Sequence, residues 1–337
     1  LTSPAPLGKC RALLASARVA NAPGAISNVT LGYLLGYAYW DRGSTPDWSE
    51  LSLLAAIATA LLIAGNLAND WFDRGWDARH RPERALPSGL LPPTLYAGLA
   101  AALGAGSLAA ALTLGPLPFL ATALILGCVG LYTWSHKRTR LAVIPMGLCR
   151  AGLYALGFLC FWPSGLTESP EMTPLQPPPG PFVTWARFDI ARALLFLATH
   201  AFGLFIYIVG LSLAARHESL AEPPTGGLVL SRAMLLLPLA ALSCWWIPYA
   251  PLAGGLALIP YAIWLGLALT LLRRPIPRLV SALLAGIPLV DLIAAVPLAI
   301  GLHLPDLAAP PLAVVAVVVP PAAFLAGLAL QKLAPAT

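Results

Sequence analysis

The chain has 337 residues, 58% of them hydrophobic and only 10% charged, with a mean hydropathy of +0.79. A soluble globule carries about 25% charged residues, so a water-soluble enzyme is excluded and the bilayer is the expected solvent. The formal charge of +6 sits in short basic clusters between apolar runs, which fits loop topology and anionic ligands and gives no footprint for nucleic acid.

A membrane helix needs about 20 apolar residues. Such runs lie near 19 to 40, 50 to 69, 91 to 113, 117 to 134 and 141 to 162, and again near 188 to 213, 228 to 248, 251 to 271, 279 to 301 and 309 to 331. The expectation is an all-α polytopic transmembrane bundle of nine to ten spans, a single domain over 1–337, with the runs after about 279 the least regular. Pro145, Pro248, Pro260, Pro288 and Pro320 are positions where a helix can kink or end.

With the N-terminus in the cytosol, Lys9, Arg11, Arg18, Arg74, Arg79, Arg81, Arg84, Lys137, Arg138, Arg140, Arg216, Arg232, Arg273, Arg274, Arg278 and Lys332 all fall inside. That is sixteen of the twenty basic residues. The opposite loops hold Asp41, Asp47, Glu50, Glu168, Glu171 and Asp306. The positive-inside rule therefore predicts an integral protein of a bacterial inner (cell) membrane with cytosolic motif loops near 69–90, 135–140 and 214–227. The chain begins at Leu1, without a Met, and no cleavable signal peptide is expected. The stretch from Pro163 to Trp185, with Pro177, Pro178 and Pro179, reads as an extended external linker. Cys10, Cys128, Cys149, Cys160 and Cys244 form no C-x-x-C pair and read as packing residues.

Chemistry concentrates after the second run. In Asn69-Asp70-Trp71-Phe72-Asp73-Arg74-Gly75-Trp76-Asp77 the three aspartates fall within about 60° of one another around a helix, with Asn66 on the same face. Carboxylates so crowded repel unless they share a cation, and Mg²⁺, which binds one or two carboxylates plus phosphate oxygens, is the natural one. Arg79, Arg81 and Arg84 follow among turn formers. Acids for a metal and arginines for an anion point to a diphosphate.

These residues resemble the UbiA superfamily of intramembrane prenyltransferases. Its first motif, N-D-x-x-D-x-x-x-D followed by R-P-x-R-x-(L/I)-P-S-G, is matched by Asn69, Asp70, Asp73, Asp77, Arg81, Pro82, Arg84, Leu86, Pro87, Ser88 and Gly89. Ala22, Pro23 and Asn28 are similar to the opening helix, and Tyr132 to Arg138 resembles the Y-(S/T)-x-x-x-K-R segment. The resemblance implies Mg²⁺-dependent transfer of an isoprenyl group from an isoprenyl diphosphate to a lipophilic or aromatic acceptor among membrane lipids. It implies Asp70, Asp73 and Asp77 at metal, Asp70, Asp73 and Lys137 as catalytic, and Asn69, Arg81, Arg84, Tyr132 and Arg150 as ligand-binding residues. Arg81 and Lys137 are the expected phosphate contacts.

The family's second motif is an Asp-rich D-x-x-x-D. Here the corresponding stretch contains no aspartate, and Glu218 and Glu222, four apart before Pro223, are the candidate metal ligands. This form, with Pro288-Leu289-Val290-Asp291, is similar to a divergent bacterial UbiA-like branch that includes the proteins of ebo gene clusters. The alternative function it leaves open is a non-catalytic carrier or scaffold for an anionic lipid or metabolite. Arg150 in the fifth run is expected to face the cavity, with Asp291 its partner or lining a separate pocket. An Asp189–Arg192 helix pair and a packing role for His200 are the expectations for the sixth run.

Overall fold

The computed structural model describes residues 8–40, 46–162, 190–216, 225–248, 250–302 and 310–334. Among these there is no strand, and the helices are α1 (Lys9–Ser16), α2 (Ala22–Trp40), α3 (Trp48–His80), α4 (Pro93–Leu114), α5 (Pro116–Ser135), α6 (Val143–Phe158), α7 (Ile190–Ala215), α8 (Thr225–Trp246), α9 (Pro251–Thr270), α10 (Ile276–Ala285), α11 (Ile287–Leu302) and α12 (Pro310–Leu333). Within the described residues, 8 stretches are long and apolar enough to cross a membrane, α10 and α11 together supplying one, Ile276–Ile300. The other two expected positions are filled by α2, which carries Ser27, Asn28 and Thr30 in its middle, and by α8, whose apolar stretch Val229–Cys244 is shorter.

The prolines act according to position. Pro145 and Pro288 lie in the first turns of α6 and α11, where no backbone donor is needed, whereas Pro260 and Pro320 sit inside α9 and α12. Pro248 follows the end of α8. Among the described residues after 279, α11 is deeply packed, with Val290, Ile293 and Ala295 at 1%, 1% and 0% exposure.

One helix sets up the site. Asp47 caps α3 by accepting from the Ser49 and Glu50 amides at 2.8 and 3.2 Å, and α3 then runs 33 residues, about 50 Å at 1.5 Å per residue. That exceeds the roughly 30 Å hydrocarbon thickness. Residues 69–80, expected as the start of a loop, are therefore the last three turns of this helix, and only 81–92 forms the turn.

A second close contact fixes α2 against α6. A Cβ on Gly32 would come within 2.3 Å of the Tyr154 carbonyl oxygen, and one on Gly157 within 2.4 Å of the Val29 carbonyl oxygen. The two backbones touch, as small residues permit in membrane bundles. This contact brings Asn28 of α2 beside Arg150 and Tyr154 of α6.

Candidate functional site

At the end of α3 the three aspartates share one buried face, with Asp70 and Asp73 at 8% exposure and Asp77 at 3%. They are not bound to one common ion partner. Lys137 Nζ lies 2.7 Å from Asp73 Oδ1, and His136 Nε2 lies 3.0 Å from Asp73 Oδ2. Arg84 Nη1 bridges Asp77 Oδ2 at 3.0 Å and Asp70 Oδ1 at 3.6 Å, while Arg18 Nη2 approaches Asp70 Oδ1 at 3.5 Å. Basic side chains from three chain segments therefore meet the acidic face. Among the described residues no group of three His, Cys, Asp or Glu is gathered to hold a metal ion.

Two oxygens nonetheless lack a hydrogen-bond donor, Asp70 Oδ1 being met only by the longer contacts of Arg18 and Arg84 at 3.5 and 3.6 Å. Asn69 Oδ1 and Asp70 Oδ1 are buried and accept no hydrogen bond among the described residues. A buried oxygen acceptor without a donor is costly. A hard cation that takes one or two protein oxygens and completes its shell with water and phosphate fits this pair better than a full protein cage would. The oxygen donors Asp70, Asp73 and Asp77, with Asn69 beside them, therefore fit Mg²⁺.

Arg18 is a site residue that the motif reading placed only among the topogenic charges. It follows α1 in a left-handed conformation, φ 48°, which costs an L-residue about 1–2 kcal/mol. Asn66 on α3 holds it there, its Oδ1 accepting from Arg18 Nη1 at 2.8 Å and its Nδ2 donating to the Ala17 carbonyl at 3.0 Å. His136 was also missed, although it adjoins Lys137. Arg81, expected at the phosphates, lies 6.0 Å over the Trp76 ring that also faces Lys137, and Arg84 lies beside the acids. The reason is the turn after His80: Arg84 folds back on Asp77 seven residues earlier.

Behind Arg18 and Asn69 opens a small cavity of about 90 Å³. Its walls are Leu61, Leu62, Ile125, Val129, Met146 and Leu153, and Tyr132, Cys149 and Arg150 also line it. Tyr132 stacks on His136 at 5.1 Å, which links the cavity wall to the Asp73 cluster. Arg150 and Asp291 are not a direct ion pair. Asn28 stands between them, donating to both Asp291 oxygens at 2.9 and 3.0 Å and accepting from Arg150 Nη1 at 3.3 Å. Arg216, just after α7, donates to the Thr139 carbonyl at 2.7 Å. Glu218 and Glu222 themselves, and Asp189, lie outside the described residues, as does the side chain of Arg192. His200 is a packing residue as expected: its Nε2 accepts from Trp246 Nε1 at 3.1 Å and its Nδ1 meets the Phe196 carbonyl at 2.7 Å.

The profile of the UbiA prenyltransferase family matches residues 29–279. The chain belongs to this family. It is 33% identical over 145 residues to a protoheme IX farnesyltransferase of Pyrobaculum islandicum, covering 40% of this chain and 51% of that one. It is 31% identical over 131 residues to a digeranylgeranylglyceryl phosphate synthase of Methanopyrus kandleri, covering 39% and 46%. The chain thus spans about half the length of these curated relatives. The apo structure of a UbiA homologue from Aeropyrum pernix K1 superposes with a TM-score of 0.51 at 16% identity, over 92% of this chain and 98% of that one. The UbiA fold is therefore shared along nearly the whole chain, and the protein is an integral membrane protein.

Proposed function

We propose that this UbiA family member transfers an isoprenyl group from a prenyl diphosphate to a lipophilic or aromatic acceptor within the membrane, with Mg²⁺ as cofactor. The observation that carries the reading is the buried acidic face of Asp70, Asp73 and Asp77, met by Arg18, Arg84 and Lys137, with Arg18 and Asn69 also lining an apolar cavity. The positive-inside pattern puts this face on the cytosolic side.

In this reading the diphosphate lies at the acidic face and its prenyl chain enters the cavity. Asp70, Asp73 and Asp77, with Asn69 beside them, would hold Mg²⁺, which would supply Lewis-acid neutralisation of the phosphate oxygens. Arg18, Arg84 and Lys137 are already oriented by the aspartates, so they meet the charge that develops as the carbon–oxygen bond breaks and diphosphate leaves with the electron pair. The apolar walls exclude water from the allylic cation. The acceptor's nucleophilic atom then forms the new bond to carbon and gives up its proton to the released diphosphate. Glu218 and Glu222 are proposed to complete the metal site from the α7 side.

Purified protein in lipid nanodiscs with labelled farnesyl or geranylgeranyl diphosphate tests this. Mg²⁺-dependent diphosphate release, lost in Asp70→Asn and Asp73→Asn, is the expected result. Tight Mg²⁺-dependent binding with no release under any acceptor mixture would instead assign the carrier function.

A further inference from the structure

The inner part of the cavity carries a polar assembly that the diphosphate end does not use. Arg150, 8% exposed and midway along α6, lines the cavity and makes one hydrogen bond among the described residues, to Asn28 Oδ1. A guanidinium has five N–H donors, so most of its capacity is directed to whatever enters. Behind it, Asp291 is fully buried and accepts from Ser27, from Asn28 and, at 2.5 Å, from Tyr154. A carboxylate only accepts, so Asn28 has to turn its amide N–H₂ to Asp291 and its oxygen to Arg150. Asp291 thereby orients Arg150 through Asn28 and supplies its counter-charge from the side away from the cavity.

That distribution selects a ligand. With Asp291 ionised, an anionic group placed on Arg150 would leave a net negative charge in the bilayer interior, where an uncompensated charge is expensive. An uncharged carbonyl oxygen fills the open donors without that cost. Resting on the transferase reading above, we propose that Arg150 is the acceptor-recognising residue and that it reads a carbonyl oxygen on an uncharged aromatic acceptor in preference to a carboxylate.

The test compares 4-hydroxyacetophenone with 4-hydroxybenzoate, the same ring bearing a ketone or a carboxylate, by calorimetry on the full chain in nanodiscs. The ketone is expected to bind at least tenfold more tightly, Arg150→Met to abolish that advantage, and Asp291→Asn, which removes the built-in counter-charge, to shift the ratio at least tenfold toward the carboxylate. Tighter binding of the carboxylate to the wild-type chain, binding of neither probe, or a folded Asp291→Asn protein with an unchanged ratio would each overturn the proposal. Where a variant does not fold by circular dichroism, the wild-type ratio decides. Geranylgeranyl diphosphate binding is measured on the same samples: its absence beside intact ketone binding refutes the transferase reading and leaves the Arg150 subsite standing.

Discussion

Lys137 Nζ sits 2.7 Å from Asp73 Oδ1, and this contact ties the segment just after α5 to the last turns of α3. Trp76 also faces the same ammonium, its ring centroid 4.2 Å away. The lysine is therefore held in place before any anion arrives, which is the condition for a charge to act in a transition state without reorganisation cost. Lys137→Met is expected to slow diphosphate release by about 10²-fold, the typical effect of losing one preorganised donor. Asp73→Asn should lower the same rate while leaving the lysine free to move, so the double variant is expected to be no slower than the worse single variant. Additive losses would mean that the two residues act independently.

Arg84 and Arg81 differ by three positions and have different tasks. Arg84 contacts Asp77 and Asp70 with its side chain 26% exposed, whereas Arg81 lies over an indole at 6.0 Å. Removing the partner of a buried carboxylate costs about 3–5 kcal/mol, and partial solvent access to Arg84 reduces that to about 2 kcal/mol. Arg84→Ala should therefore lower the unfolding temperature in detergent measurably, and Arg81→Ala should leave it within error. Equal shifts in the two variants would contradict the assignment.

The acidic face was legible in the sequence because helical spacing alone puts residues 70, 73 and 77 together, and the adjacent arginines and Lys137 follow from the same motif. Arg18 was not, because nothing local marks it: it reaches Asp70 only after α1 turns back in a left-handed conformation held by Asn66. The choice between Arg81 and Arg84 depends on the path of the turn after His80, which residue types do not specify. Arg150 and Asp291 were both visible as charges in apolar runs. That Asn28 separates and joins them requires α2, α6 and α11 to meet, a relationship between residues up to 263 positions apart. Helix existence was likewise readable from apolar periodicity, while the end of α3 was placed too early because a span was expected to stop where the acids begin.

Asp47 gives a pH prediction at the opposite end of the same helix. Hydrogen bonds from Ser49 and from the Glu50 amide hold its carboxyl below the ordinary value of 3.8. A carboxyl depressed in the folded state stabilises above its unfolded value and loses that contribution as pH falls through the folded one. Asp47→Ala should thus melt at a lower temperature than the wild type at pH 7, with the difference unchanged down to about the unfolded value and shrinking below it. A difference that already closes between pH 7 and 5 would point to another titrating group.

The contact of α2 with α6 yields the most severe expected substitution. Gly32→Leu and Gly157→Leu each force a side chain into backbone atoms that lie 2.3 to 2.8 Å from the Cβ position, namely Tyr154 for the first and Val29 and Tyr33 for the second. Backbone cannot move aside as a flexible side chain does, so the helices must separate, at a cost at or above the roughly 1–3 kcal/mol typical of overpacking. Separation displaces Asn28 from Arg150, so acceptor affinity should fall together with stability. Gly75→Ala provides the contrast: it lies in α3 with nothing within 4 Å, and replacing a helical glycine there should raise stability by about 0.5–1 kcal/mol. Paired thermal unfolding of the three variants in one detergent checks both signs, and a destabilised Gly75→Ala would show that this face of α3 is covered in the functional state.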